Sequence, residues 1–400
     1  MNVTKNFIIG IITYNRYDYL DDLIKDIIRQ NVWPKQIYIS DNGIGYYLKE
    51  KIDIPITIIK NAYNYGTCRG TNEIIKLNQN EDILFMCDDT YFVKNTSLES
   101  IFNKFTEEKN NNNIHLIWCN HWASFIASKE WIKCVGLFDD NIWPCYNEDS
   151  DLTETIRKKS NTTISHNCIG YKSISCINNF EETEVIGNKR GTGEPLIAPY
   201  YSDFKQRNLY YFLFKWKENN LSADDIHENT INHYINQKDV DLYKFEIEYS
   251  KNKIKDLNIS NKENYIYPFV DEILKLKELN ITNIVEYKTQ RAYVTRLLLH
   301  LNPKELISYD DKFDLCHDIC HHLNYLFNYN ISIKLLNTSN IIKQKTDLLV
   351  INKDCDIDII NYIDSNYILI FRKDIIEIKN YNCIKTIEND TLNMYLYKNE

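Results

Sequence analysis

Between Phe7 and Asp89, short apolar runs alternate with segments whose apolar residues recur at helical spacing. Phe7–Thr13 ends in Tyr14-Asn15-Arg16, and Asp18–Gln30 then places Leu20, Leu23, Ile24, Ile27 and Ile28 along one helical face. Gln36–Ser40 reads as a second strand ending at Asp41-Asn42-Gly43, and Ile54–Lys60 as a third. Gly70–Leu77 reads as a helix, and Ile83–Cys87 as a fourth strand running into Asp88-Asp89. Alternation of this kind predicts an α/β fold with a parallel sheet, whose ligands bind beyond the carboxyl ends of the strands. The polar residues that stop the apolar runs are therefore expected on one rim.

A chain of 400 residues is too long for one ordinary core, so two domains are expected. The pattern from Trp118 to Trp216 is less regular, with helices predicted at Ser128–Val135 and Ser150–Lys159 and a glycine-containing loop at Ile186–Pro195. Residues 218–262 are charged and helix-forming without a strong core face, and read as a helical connector after a first domain of residues 1–217. A second alternation fills residues 263–400. Strands are predicted at Asn283–Glu286, Glu305–Tyr309, Ile331–Leu336, Asp347–Asn352 and Tyr367–Arg372, and helices at Tyr293–Leu301, Asp314–Phe327 and Ile357–Ile363. Cys383–Ile387 and Asn393–Tyr397 form a candidate hairpin.

Composition narrows the classes. Hydrophobic residues at 44% exclude a disordered chain, and a net charge of −9 argues against broad nucleic-acid binding, which needs clustered Lys and Arg. The 11 cysteines lack paired spacing, which suits reduced thiols. The amino terminus does not read as a signal peptide, and no apolar stretch reaches about 20 residues, so a soluble, cytoplasmic protein is expected. Asn-rich stretches such as Asn110–Asn113 read as compositional drift.

Acidic residues end successive strands at Asp41 and Asp88-Asp89 and recur before a helix at Glu148-Asp149. Carboxylates gathered on one sheet edge repel one another unless a cation or hydrogen-bond donors compensate, and oxygen ligands beside a diphosphate favour Mn²⁺ or Mg²⁺.

These residues carry a resemblance. Residues 5–215 resemble the inverting GT-A glycosyltransferases of family 2, especially the rhamnosyltransferase-like members. The likeness rests on Ile11-Ile12-Thr13-Tyr14-Asn15-Arg16, Ile39-Ser40-Asp41-Asn42-Gly43, and Asn64-Tyr65-Gly66 with Arg69 and Asn72. It continues through Ile83–Thr90 and through Gly136-Leu137-Phe138-Asp139-Asp140 followed by Glu148-Asp149-Ser150-Asp151-Leu152. It implies a nucleotide-diphosphate sugar donor, UDP- or dTDP-linked, a hexosyl or deoxyhexosyl transfer, and a glycan, protein or lipid-linked acceptor.

Carried over by position, Thr13, Asn15, Arg16 and Asn64 belong to the nucleotide pocket, and Asp41 accepts a hydrogen bond from the base. Arg69 and Asn72 flank the pyrimidine or ribose, Asp88 contacts the ribose, and Asp89 holds the metal. Cys87 stands where the common form of the motif has its first Asp. Asp149 is implied as the general base, with Glu148 and Asp151 as substitutes. His166 is a further metal or phosphate ligand candidate, set against a structural histidine, and Lys189–Gly193 a candidate lid. Each acidic pair also has a plainer reading, as a turn or as a helix cap.

Phe204–Lys217 interleaves aromatic residues with Lys and Arg. It offers either a peripheral membrane contact or, more simply, a helix packed under the sheet with its cations solvated. Cys316, Cys320, His321 and His322 share a helix, but no second ligand pair accompanies them, which favours packing over zinc. Oligomeric state has no signature.

Residues 263–400 resemble the Rossmann-like core of class I methyltransferases, with Asp310 ending the second strand in the place of the acid that holds the cofactor ribose. Where that family has its glycine-rich turn, this chain has Tyr287-Lys288-Thr289-Gln290-Arg291-Ala292. The departure predicts a degenerate domain serving as scaffold or acceptor platform. The alternatives are a bifunctional glycosyltransferase and S-adenosylmethionine-dependent methyltransferase, or a non-catalytic sugar- or nucleotide-binding protein.

Overall fold

In a computed structural model the apolar runs of the first ninety residues become neighbouring strands of one sheet. The structure describes the chain apart from residues 1–2, 50–51, 93–96, 121–122, 162–169, 174–185, 189–206, 217–241, 253–266, 289–292, 311–312, 353–354, 356, 389–391 and 400. It divides into two units, Met1–Lys238 and Asp239–Glu400.

In the first unit β1 (Val3–Thr13), β2 (Val32–Asp41), β3 (Ile56–Lys60) and β4 (Ile83–Cys87) are mutually parallel, with β1 between β2 and β4. Helix α1 (Tyr17–Ile28) buries Leu20, Leu23, Ile24 and Ile27, and α2 (Gly66–Leu77) buries Cys68, Ile74 and Ile75. Ile9 and Ile11 of β1 and Ile37 and Ile39 of β2 are fully buried in one core with the α1 residues. Each such side chain contributes about 1.5–3 kcal/mol of transfer free energy, which offsets the ordering of the backbone around it.

The sheet is mixed, not parallel throughout. Beyond the short strand β5 (Thr90–Phe92), β6 (Ile114–Asn120) and β7 (Ser124–Ala127) extend it in the order β3-β2-β1-β4-β7-β6-β8, where β8 is Gly170–Ser173. Strand β7 runs antiparallel to both β4 and β6. The reason is length: β7 follows β6 too closely for the crossover that a parallel pair requires, so the chain can only turn back. A separate ribbon pairs β5 with β9 (Ile186–Asn188).

Helix α3 (Leu98–Asn112), unanticipated in the sequence, precedes β6. Its start is a capping box in which Ser97 and Ser100 each accept from the other's backbone, and Leu98, Ile101 and Phe105 form its buried face. Asn113, at φ 54°, is its left-handed C-cap, so one residue of the asparagine run has a positional role. Ser128 caps α4 (Lys129–Val135) by accepting from Trp131 N at 3.0 Å, and α5 (Glu148–Asn161) follows. Residues 207–216 form α6.

In the second unit, β10 (Asn283–Tyr287), β11 (Glu305–Tyr309), β12 (Ser332–Leu336), β13 (Gln344–Ile351) and β14 (Ile363–Arg372) are parallel, with β16 (Asn393–Asn399) and β15 (Tyr381–Ile387) antiparallel at one edge. The order β12-β11-β10-β13-β14-β16-β15 reverses direction between β10 and β13, as in a Rossmann-like sheet. The expected hairpin is present as the antiparallel pair β15–β16.

Helix α7 (Leu242–Asn252) lies in this unit, where Arg296 of α9 (Tyr293–Leu299) donates to the buried Glu246 at 2.6 Å. It is the only helix described within the expected connector, residues 218–262; the remainder of that stretch lies outside the described residues. Two shorter elements differ from expectation or complete the unit: Ile357–Asn361 is a 3-10 turn and not an α-helix, and α8 is Val270–Lys275. The last helix, α10, spans Phe313–Leu326.

Candidate functional site

Register alone brings Thr13 and Asp88 together. Ile12 of β1 pairs with Cys87 of β4, so the two residues that follow lie side by side where the strands end. Thr13 Oγ1 donates to Asp88 Oδ2 at 2.8 Å. Arg16, just beyond β1, grips the same carboxylate through Nε at 3.2 Å and through Nη2, while its Nη1 reaches Asp89 Oδ2 at 2.8 Å. Asp88 is fully buried, and the Asp89 and Arg16 side chains retain 16% and 17% exposure. Burial alone would weaken the guanidinium as a cation, but Asp88 and Asp89 outweigh it and hold Arg16 above its ordinary value. Burial also pushes the Asp88 carboxyl up to about 6, with Arg16 opposing.

The second strand end is organised from within. Asp41, 1% exposed, accepts from Tyr17 Oη at 3.0 Å, from Gly43 N at 3.0 Å and from Tyr46 N. Asn15, in the left-handed region at φ 59°, accepts from Ile44 N at 2.9 Å and so ties the turn after β1 to the turn after β2. Gly43 sits where these turns meet, since a Cβ there would stand 2.2 Å from Asn15 Oδ1 and 2.5 Å from Tyr17 Oη. Asp41 therefore shapes the rim by folding its own loop.

A cleft opens between these strand ends and the start of α2. Thr13, Tyr14, Arg16, Asn42, Asn64, Gly66, Thr67, Cys87, Pro144 and Cys145 are among its lining residues, and its volume is ≈130 Å³. Ligand pockets commonly measure about 300–1,000 Å³, so a nucleotide sugar seated here would extend over the open side. Asn42 Oδ1 accepts from Tyr65 N at 3.0 Å, and Asn64 Oδ1 from Gly66 N at 2.9 Å, which fixes the turn leading into α2.

Two further candidates point elsewhere. Asn72, 1% exposed, exchanges hydrogen bonds at 2.9 Å with the Phe138 backbone and donates to Asp140 Oδ1 at 2.5 Å, so its amide serves the Gly136–Asp140 turn. Arg69 donates to Tyr63 Oη at 2.5 Å and lies 3.6 Å over the Tyr65 ring.

Pro144 and Cys145 reach the cleft because α6 holds their segment. Asn208 Nδ2 donates to Trp143 O at 3.1 Å and Cys145 O at 2.8 Å, and Arg207 Nη1 donates to Asn141 O at 2.7 Å. Lys215 Nζ lies 2.7 Å from Asp139 Oδ2 and 2.8 Å from Asp151 Oδ1. Tyr211 Oη and Trp216 Nε1 also donate to Asp139 and Asp151, at 2.9 Å and 2.7 Å. This network corrects the expectation of solvated cations in Phe204–Lys217: Arg207 and the Lys215 side chain, at 3% and 8% exposure, are buried and paired. Burial would raise the Asp139 carboxyl, but Lys215 outweighs it and holds Asp139 below its ordinary value.

Helix α5 starts with the two candidate bases. Asp149 is exposed, and its Oδ1 accepts from Ser150 N at 2.7 Å. Glu148 is different: its Oε2 is buried without a hydrogen-bond partner. Burial, reinforced by the Asp149 charge, pushes its carboxyl up to about 7. Its charge also contributes to raising Cys87 and Cys145, both of which line the cleft. Tyr146 and Asn147 just ahead of it are consecutive left-handed residues, φ 74° and 71°, a strained approach of the kind found at ligand sites.

Among the described residues, no group of three His, Cys, Asp or Glu side chains is placed to hold a metal ion. His166 and Lys189–Gly193 lie outside the described residues. None of the described cysteines is paired in a disulfide, Cys316 and His317 have side chains outside the described set, and Cys320 is a buried thiol raised by that burial. No helix among the described residues is long and apolar enough to cross a membrane.

In the second unit the strand ends at the β10–β13 switch are tied to one another. Glu286, 0% exposed, accepts from Thr295 Oγ1 at 2.7 Å and from Asn352 Nδ2 at 2.9 Å, and Asn352 Nδ2 also reaches Lys288 O at 3.0 Å. Lys288 adopts φ 54° where the resemblance calls for a glycine. Asp310 is buried at the end of β11, and Thr289–Ala292 lie outside the described residues.

The first unit is thus an α/β domain whose polar rim lies at the carboxyl ends of its strands, the place where this class binds ligands. Residues 8–130 match the family model described as Glycosyl transferase family 2. Among curated proteins none matches the chain. Among solved structures it is similar to a proposed methylase from Haemophilus influenzae at 11% identity, covering 32% of this chain and 87% of that one, TM-score 0.28. It is also similar to a proposed methyltransferase from Escherichia coli at 10% identity, covering 36% and 91%, TM-score 0.30. An rRNA methylase from Escherichia coli matches at 9% identity over 34% and 65%, TM-score 0.28.

Proposed function

We propose that the chain is an inverting glycosyltransferase that takes a sugar from a UDP- or dTDP-linked donor to an acceptor hydroxyl of a glycan, protein or lipid-linked molecule. The observation that carries this reading is that Thr13, Arg16 and Asn64 line one cleft while Thr13 and Arg16 hold Asp88 and Asp89 at the strand ends, within a segment that matches the glycosyl transferase family 2 model. Asn64 and Thr13 line the pocket for the nucleotide, while Asp41 and Asn15 keep its rim in shape.

In the transfer, the acceptor oxygen bonds to the anomeric carbon as the bond from that carbon to the diphosphate oxygen breaks. The hydroxyl proton passes to a carboxylate. Asp149 is the base by resemblance, and its exposure leaves it open to an acceptor arriving from solvent. Attack from the face opposite the diphosphate inverts the anomeric centre in one displacement.

A divalent cation such as Mn²⁺ or Mg²⁺ at Asp89, which the resemblance implies, would share its carboxylate with Arg16, which already lies 2.8 Å from Oδ2. Cys87 supplies a thiol that burial keeps protonated, a poor ligand for a hard cation. These described residues do not fit a dedicated metal centre, and the leaving group meets Arg16 instead.

For the second unit we propose a scaffold or acceptor platform. Glu286 and Asn352 spend their hydrogen bonds on each other and on the turn after β10, which favours this over an S-adenosylmethionine enzyme.

Hydrolysis of a panel of UDP- and dTDP-sugars tests the transferase reading. Asp149→Asn is expected to lower turnover by about 10²–10⁴ while nucleotide binding persists. Equal turnover in the variant would reassign the base, and absence of nucleotide binding by the wild type would remove the reading.

A further inference from the structure

We infer that Arg16 is the resident cation of the donor cleft and stands in place of a divalent metal, so that nucleoside diphosphates bind this chain without one. The inference rests on the proposed transferase reading and deepens it.

The guanidinium is held at three corners. Nε and Nη2 meet Asp88, and Nη1 meets Asp89, so its plane is fixed by the two acids that would otherwise serve a metal. Asp88 has nothing left to offer a ligand: it is buried, and Thr13 Oγ1 and the Tyr14 backbone N–H add to the arginine on its oxygens. Asp89 is the remaining acid, and a cation on it would stand within a few ångströms of a fixed positive charge. In a partly buried site such repulsion is weakly screened. A hard cation would also need several oxygen ligands, where the chain has the sulfur of Cys87 in place of a carboxylate.

Arg16 nevertheless lines the cleft, with 17% of its side chain exposed. An arginine whose plane is fixed by two acids and whose side chain is partly exposed in the cleft presents a preorganised cation to a phosphate, and it never loses its charge. The amino end of α2, at Gly66 and Thr67, lines the same cavity and contributes roughly half a positive charge from its dipole. The acids in this arrangement position the cation, and the cation meets the ligand.

Calorimetric titration of the full chain with UDP, dTDP and GDP, in EDTA and again with Mn²⁺, tests this. The expected result is binding in EDTA, with a dissociation constant within about threefold of that in Mn²⁺, and no attenuation of the free Mn²⁺ electron paramagnetic resonance signal when the unliganded protein is added. Arg16→Lys keeps the charge that buried Asp88 needs for folding but cannot span both acids, and is expected to weaken binding in EDTA about tenfold or more. Circular dichroism confirms that the variant folds.

Nucleotide binding that disappears in EDTA and returns with Mn²⁺, or binding that Arg16→Lys leaves unchanged, overturns the inference while the transferase reading stands. Failure of all three nucleotides under both conditions removes the transferase reading, and the inference with it.

Discussion

Glu148 and Asp149 are sequence neighbours at the start of α5 and have opposite surroundings: the Asp149 carboxylate is exposed and takes Ser150 N at 2.7 Å, while Glu148 Oε2 is buried without a partner. Burial and the neighbouring charge raise Glu148 from 4.5 to about 7. A carboxyl raised in the folded state contributes stability that is complete below its unfolded value and lost as pH rises through its folded value. Ionising Glu148 near pH 7 therefore costs stability. Glu148→Gln is expected to match the wild type near pH 4.5 and to exceed it above pH 7, by up to about 3 kcal/mol, read from denaturant melts across that range. Parallel pH profiles for the two proteins would contradict this.

Lys215 neutralises Asp139 and Asp151 at once, inside the first unit. Lys215→Met leaves two buried carboxylates facing each other and is expected to cost about 3–5 kcal/mol in thermal or denaturant unfolding. Adding Asp139→Asn and Asp151→Asn removes the stranded charges, so the triple variant is expected to regain part of the loss. A triple variant less stable than Lys215→Met would show that packing, not charge, dominates the site.

Gly66 adopts φ 72°, and a Cβ there would stand 2.6 Å from Pro144 O and 2.8 Å from Trp143 Cδ1. Because the nearest obstacle is backbone, relief requires moving the Pro144 segment that lines the cleft. Gly66→Ala is expected to destabilise the chain by about 1–3 kcal/mol and to weaken nucleotide binding at the same time. Calorimetry on the folded variant measures the second effect.

His300 is buried among Tyr243, Phe327 and Tyr329, and that burial lowers it from 6.5 to about 4. A histidine lowered in the folded state contributes stability that is present above 6.5 and lost as pH falls toward 4, by up to about 3 kcal/mol. Acid unfolding of the second unit is expected to begin in this window, and His300→Gln to flatten the dependence. An unchanged slope in the variant would assign the loss to other groups.

S-adenosylmethionine is expected to give no binding heat with the full chain, because Asn352 closes onto Glu286 and the Lys288 carbonyl at the strand switch. Saturable binding would restore the bifunctional alternative.

Much of the fold was legible in residue order. The strands and their polar ends followed from apolar runs such as Ile83–Cys87, because local hydrophobic pattern selects secondary structure. The motif residues Thr13, Arg16, Asp88 and Asp89 were named from the chain alone. Helix α3 was missed because its buried face is only Leu98, Ile101, Phe105 and Glu108 in an otherwise polar stretch. Strand β7 was not read from the sequence because its four residues, Ser124–Ala127, are too short to show a period of their own, and its antiparallel direction depends on which strand lies beside it.

The sequence by itself determined which side chains end the strands, since that depends on local periodicity. Tertiary structure alone decided that Arg16 takes both acids, that Asn72 serves the Phe138 turn and that Lys215 is buried between Asp139 and Asp151. Those partners lie 72, 66 and 76 positions apart for Arg16–Asp88, Asn72–Phe138 and Lys215–Asp139. Over such separations composition names the charges but not their pairing, because only the packed sheet and helices set the distances at which charges and hydrogen bonds act.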